Sequence, residues 1–103
     1  MTFETIRIIR ANHPSLRGHF PGAPLVPGVV ILDEVLAALI EWRQESQLTG
    51  IQMVKFLAPL TPEQAFTISL SAKNARAAEI NFCCRAGDRL IVEGRLEVAW
   101  GAR

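Results

Sequence analysis

The residues whose types and spacing could do chemistry lie within fifteen consecutive positions. His19 leads Phe20, Pro21 and Gly22; Pro27 and Gly28 follow, and then Asp33. Histidine titrates near neutral pH and can take up or release a proton there. A carboxyl group in a dry pocket can be held protonated and serve as the opposite partner. Between the two, Pro27-Gly28 reads as the start of a helix. The first N–H groups of a helix suit a developing negative oxygen through hydrogen bonding and dipole together. A base, an acid and an oxyanion donor in one short segment form a compact set for acid/base chemistry on an acyl group.

These groups need elements to hold them. The stretch from Val29 to about Gln47 contains neither proline nor glycine, and Gly50 reads as its exit, so one long helix is expected there. Val29, Val30, Leu32, Val35, Leu36, Leu39, Ile40 and Trp42 cover most of its circumference. A helix apolar nearly all round is enclosed by other structure. The second half of the chain supplies the wrapper, because its apolar period changes to strict alternation. Phe66, Ile68, Leu70 and Ala72 form one such run, Ile80, Phe82 and Cys84 a second, and Leu90, Val92, Leu96, Val98 and Trp100 a third. Asn74-Ala75-Arg76 and Ala86-Gly87-Asp88 read as turns between them, giving an antiparallel meander. Earlier strands are expected over Ile51 to Leu57 and Thr5 to Arg10. The fold class is therefore α+β, an antiparallel sheet curled around one buried helix.

Bulk properties set limits. The 103 residues, half of them hydrophobic, suit a single domain over 1-103 with one core. Eleven basic against ten acidic residues leave a formal charge of +1, so no overall field draws the chain to nucleic acid or a membrane surface. The apolar stretch from Val29 to Ile40 is interrupted by Asp33 and Glu34 and is too short and too charged to span a bilayer. Cys83 and Cys84 are adjacent and point to opposite faces of a strand, so disulfides do not organise the fold, and a cytoplasmic setting is expected. Met1 to Arg10 is charged and alternating, unlike a secretory signal.

The run Asn12-His13-Pro14-Ser15-Leu16-Arg17-Gly18-His19-Phe20-Pro21-Gly22-Ala23-Pro24-Leu25-Val26-Pro27-Gly28-Val29-Val30 resembles the signature of the hot-dog-fold 3-hydroxyacyl-acyl-carrier-protein dehydratases of the FabZ and FabA type. Val54-Lys55-Phe56-Leu57-Ala58-Pro59-Leu60 resembles the family's strand after the central helix, so the similarity covers nearly the whole chain. The resemblance implies a hot-dog fold, normally paired into dimers, in which a loop histidine and a helix acid form a catalytic pair across the dimer interface. His19 matches the histidine. The acid falls fourteen residues later, at Asp33. Glu34 is one residue off register, and a helix turns about 100° per residue, so the two cannot face one pocket. Spacing favours Asp33; a loop differing by one residue would favour Glu34.

The implied reaction removes a proton from C2 of a 3-hydroxyacyl thioester and hydroxide from C3, giving the trans-2-enoyl thioester. His19 would be the base and Asp33 the acid, while the Gly28 amide would bind the thioester carbonyl, its missing side chain allowing close approach. Phe20, Pro21, Gly22 and Pro27 would shape the loop, and Leu25 or Val26 would line the acyl channel. No metal or redox cofactor is required. The partners implied are an acyl carrier protein bearing the substrate on its phosphopantetheine arm and a second subunit, either a copy of the chain (homodimer or higher homo-oligomer) or a paralogue in a heterodimer. Carrier proteins are generally acidic, so a basic rim drawn from Arg17, Lys73, Arg76, Arg85, Arg89 or Arg95 is expected. The pathway is fatty-acid, polyene or polyketide-type biosynthesis. Two alternatives remain: a hot-dog acyl thioesterase, disfavoured by His19-Phe20-Pro21-Gly22, and a non-catalytic subunit of a heteromeric dehydratase, disfavoured by the presence of both His19 and Asp33. His13 reads as a surface loop residue, Cys83 and Cys84 as packing residues, and Trp42 and Trp100 as core or interface fillers.

Overall fold

The structure is a computed structural model that describes residues 1–16 and 25–101. Among the described residues, five strands and one long helix follow one another: β1 (Thr2–Arg7), α1 (Gly28–Trp42), β2 (Ser46–Phe56), β3 (Phe66–Ser71), β4 (Glu79–Ala86) and β5 (Arg89–Trp100), with a short 3-10 turn at Pro14–Leu16. The strands make one antiparallel sheet in the order β1-β3-β4-β5-β2. The meander expected from alternation is β3 to β5, and β1 and β2 close its two sides.

Alternate positions of these strands meet the helix. Phe66, Ile68 and Leu70 of β3, Ile80, Phe82 and Cys84 of β4, and Val92, Leu96 and Val98 of β5 are buried together with Val30, Ile31, Val35, Ala38 and Leu39 of α1. Removing each such side chain from water contributes about 1.5–3 kcal/mol. This shared core holds α1 at a fixed rotation against the sheet. The β4–β5 turn has only Gly87 and Asp88 between the paired Ala86 and Arg89, with φ +60 at Gly87, the backbone of a II′ turn.

Several expectations are corrected. The helix ends at Trp42 rather than near Gln47, and the three residues after it turn the chain into β2. Arg43 leaves helical geometry there (φ −133, ψ 78), and two contacts hold the last turn. The Arg43 N–H closes onto the Leu39 carbonyl at 2.7 Å, and the Trp42 ring stacks on Phe3, with centroids 6.1 Å apart. Gly50 is not the helix exit but an interior residue of β2, at a register shift where the strand bulges against β5. β1 begins at Thr2 and ends at Arg7, three residues before its expected end at Arg10. In β5 both Ile91 and Val92 are buried, because a register shift at Cys84/Arg85 breaks the strict alternation.

The sheet covers one side of α1 only. Val29 and Ile40 are 65% and 59% exposed, and Asp33 and Ala37 lie exposed between them. Steps of four, four and three residues place these positions on one helical face. Within this chain the helix is therefore half wrapped.

Candidate active site

The amino-terminal end of α1 is built by two ties. Pro27 takes an extended conformation (φ −61, ψ 145) as the residue before the helix, and its carbonyl accepts from the Val30 N–H at 3.0 Å. Proline suits this place because its missing N–H would be unpaired there in any case. The Val26 N–H donates to the Leu60 carbonyl at 2.8 Å, holding the approach to the helix against the segment after β2. Among the described residues no side chain caps α1.

A cavity of about 510 Å³ opens here. Its walls include Leu25, Val26, Pro27, Gly28 and Ile31 on one side and Phe56 to Leu60 on the other. Of the residues expected to touch substrate, Leu25, Val26, Pro27 and Gly28 thus share one apolar recess. His19, Phe20, Pro21 and Gly22 lie outside the described residues, as does Arg17. The Phe56 ring lies against Gly28: a Cβ added to the glycine would sit 2.6 Å from Phe56 Cζ and 2.8 Å from Cε1. Only a glycine tolerates that approach without displacing the ring.

The two neighbouring acids of α1 have different surroundings. Glu34 turns toward β1, where Arg7 Nε lies 3.6 Å from its Oε1, and Arg7 Nη2 is 2.7 Å from Glu41 Oε2. One half-buried arginine thus gathers two helix carboxylates seven residues apart. Asp33 stands on the open face between Val29 and Ala37, exposed to solvent.

A second clamp lies at the base of the segment that leads to position 17. The Glu63 carboxylate accepts from the Ala11 N–H at 2.7 Å and from Arg10 Nη1 at 3.0 Å, while the Glu63 N–H donates to the Ile9 carbonyl at 2.8 Å. The Ala11 hydrogen bond, followed by the Arg10 guanidinium, holds the Glu63 carboxyl below the usual range. Its φ of 67 lies in the left-handed region, which these bonds stabilise. Neither Glu63 nor the placement of Phe56 was legible in the sequence. A glutamate in a polar turn and a phenylalanine at a strand end carry no local signal of their partners.

The remaining side chains sort by place. Trp42 and Trp100 are partly buried against the core, and Trp100 Nε1 donates to the Ala77 carbonyl at 2.9 Å. Cys84 is buried and Cys83 faces the other side of β4. His13 sits in the turn before the 3-10 segment, its carbonyl accepting from the Leu16 N–H at 3.0 Å. Among the expected rim residues, Arg89 reaches toward the cavity, its Nη2 3.5 Å from the Pro59 carbonyl, whereas Arg76 lies over the Trp100 ring. Among the described residues no three of His, Cys, Asp and Glu group to hold a metal ion, and no helix is long and apolar enough to cross a membrane.

Comparison with known proteins agrees with this architecture. A family model described as ApeI-like, ApeI dehydratase, matches residues 2–95. The 3-hydroxyacyl-[acyl-carrier-protein] dehydratase FabZ of Chlamydia trachomatis is 32% identical over 103 aligned residues, covering 85% of this chain. The match spans 65% of that enzyme's length. Among solved structures, the dehydratase heterocomplex ApeI:P from Xenorhabdus doucetiae superposes with a TM-score of 0.83 at 23% identity, over 95% of this chain and 87% of that one. The fluoroacetyl-CoA thioesterase FlK superposes with a TM-score of 0.74 at 16% identity, over 96% and 84%. At such identities these structures establish the hot-dog fold.

Proposed function

The chain belongs to the ApeI-like dehydratase family, and from that premise we propose that it dehydrates a 3-hydroxyacyl thioester, carried on an acyl carrier protein, to the trans-2-enoyl thioester. The observation that carries the reading is the division of labour between the neighbouring acids. Glu34 is engaged by Arg7, and Asp33, the acid that family spacing selects, stands exposed on the open face of α1 with no ion pair among the described residues. His19 is the base that removes the C2 proton, and Asp33 protonates the departing C3 hydroxyl so that it leaves as water. The Gly28 N–H donates to the thioester oxygen and stabilises the charge that develops there. Leu25, Val26 and Pro27 guide the acyl group, with Phe20, Pro21 and Gly22 shaping the loop around His19.

The working unit is a dimer or a larger assembly. The open face of α1 combines Val29 and Ile40 with Asp33, and the outer edge of β2 has no neighbour in the five-stranded sheet, so a second subunit covering both would bury apolar surface and pair a strand edge. Either a copy of the chain or a paralogue meets this need; the neighbour from Xenorhabdus doucetiae is a heterocomplex. Arg89 reaches the Pro59 carbonyl on the cavity wall and is suited to an acidic carrier protein. The reaction belongs to fatty-acid or polyene-type biosynthesis in the cytoplasm.

The test is turnover of 3-hydroxyacyl carrier-protein thioesters by the intact protein, alone and with a co-encoded hot-dog partner, beside His19→Ala and Asp33→Asn. Enoyl product from the intact protein, with a loss of about 10²-fold or more in each variant, supports the reading. Release of free acid and thiol in place of enoyl product would identify a thioesterase instead. Activity that appears only with the partner, and survives both substitutions, would make the chain the non-catalytic subunit.

A further inference from the structure

We propose that Phe56 determines specificity, its ring reading the width of the acyl group at C2, the carbon beside the thioester carbonyl. The inference rests on the dehydratase reading, because it takes the Gly28 N–H as the carbonyl's partner.

Phe56 is the last residue of β2 and lies opposite Val92 in β5. Immediately beyond it, the Leu57 and Ala58 N–H groups both donate to the Ile91 carbonyl, at 2.8 and 3.2 Å. The backbone at Phe56 is thus pinned to the sheet on its carboxyl-terminal side. Its ring is not part of the core: the side chain is 52% exposed, whereas Phe66 and Phe82 are 1% and 3% exposed. A half-exposed phenylalanine on a fixed backbone can change its rotamer without disturbing the fold.

The ring points at Gly28. A Cβ there would lie 2.6, 2.8 and 3.2 Å from Cζ, Cε1 and Cε2, so the outer edge of the ring meets the glycine. Helix Cα–Cβ bonds tilt toward the amino terminus. A ring edge in that position therefore stands at the amino-terminal mouth of α1, on the wall of the cavity it shares with Leu25, Pro27 and Ile31. A carbonyl oxygen accepting from the Gly28 N–H at about 2.9 Å brings the carbonyl carbon and C2 within roughly 3–5 Å of that nitrogen. The C2 substituents and the ring edge then compete for one space. A C2 bearing two hydrogens asks the least of it, and a 2-methyl group asks the ring to move. Because the ring has no titratable group, its effect is steric and acts on substrate choice rather than on proton transfer.

The experiment measures kcat/KM for two 3-hydroxyacyl thioesters of equal chain length, one unbranched and one 2-methylated, with the intact protein in the assembly it forms, Phe56→Ala and Phe56→Leu. Thermal melts confirm that each variant is folded. Phe56→Ala is expected to raise the 2-methyl to unbranched ratio by about 10-fold or more, the lower range for one carbon in a pocket, with Phe56→Leu between the two. An unchanged ratio, including a parallel rise or fall in both substrates, overturns the proposal. If the intact protein dehydrates neither substrate, the dehydratase reading fails by itself. The ring is then judged by calorimetric binding of unbranched and 2-methyl acyl-pantetheine amides. The same shift in affinity ratio in Phe56→Ala supports its role, and an unmoved ratio or no binding overturns it.

Discussion

Arg7 Nε lies 3.6 Å from Glu34 Oε1, so the acid beside Asp33 along α1 is committed to the sheet. The same guanidinium holds Glu41 at 2.7 Å, which ties β1 to two turns of the helix and fixes the rotation that leaves Asp33 outward. Glu34→Gln is therefore expected to keep most of the dehydratase activity while Asp33→Asn loses about 10²-fold or more. Arg7→Ala should lower stability by about 1 kcal/mol, since the pair is only partly shielded from water. Urea unfolding beside turnover measures both.

Gly28 is held to a glycine by contact rather than by backbone angle. In Gly28→Ala the new methyl must push the half-exposed Phe56 ring aside, which costs the fold little. We expect a stability change under about 1 kcal/mol, because alanine also favours the helix. Turnover should fall by roughly 10-fold to 10²-fold as the thioester is misplaced. Melting temperature together with kcat separates the two effects.

Gly94 gives the opposite outcome. A Cβ there would collide with the Met53 carbonyl oxygen and lie 2.6 Å from Phe82 Cε2. Phe82 is buried and the carbonyl belongs to the backbone of β2, so neither can swing away. Gly94→Ala should cost about 2–3 kcal/mol. For a domain of this size that is a fall in melting temperature of roughly 10–20 °C, read by circular dichroism.

Burial pushes the Cys84 thiol up to about 12, with a smaller contribution from Cys83 beside it. The charged form is the thiolate, which the folded state disfavours. Its contribution to stability is thus fully present below the unfolded value near 9 and is lost as pH rises from there toward 12. Urea unfolding from pH 8 to 10.5 should show a loss on the order of 2 kcal/mol that is absent in Cys84→Ala. The chain contains no tyrosine, so phenol ionisation does not overlap this window.

The alternating runs in the second half and the Pro27-Gly28 helix start were legible because each is a local pattern. The meander, the curled sheet and the α1 amino terminus followed from them. The helix end was not legible, since Trp42 stops against Phe3, a contact across 39 positions that no window contains. Gly50 misled for a related reason: glycine marks turns and bulges alike, and only the register against Glu97 and Leu96 tells which. For the site, spacing prefers Asp33 to Glu34, while the ion pair that engages Glu34 comes from Arg7, on another element that no local window contains. Phe56 meets Gly28 across 28 positions, and its role emerges only from that contact.

The open face of α1 places Asp33 in the same strip as Val29 and Ile40. A subunit that hides the apolar pair would enclose Asp33 in the same step, so association and completion of the site would be a single equilibrium. Dilution should then act as an inhibitor: specific activity should fall as the protein concentration drops through the dissociation constant, and return on concentration.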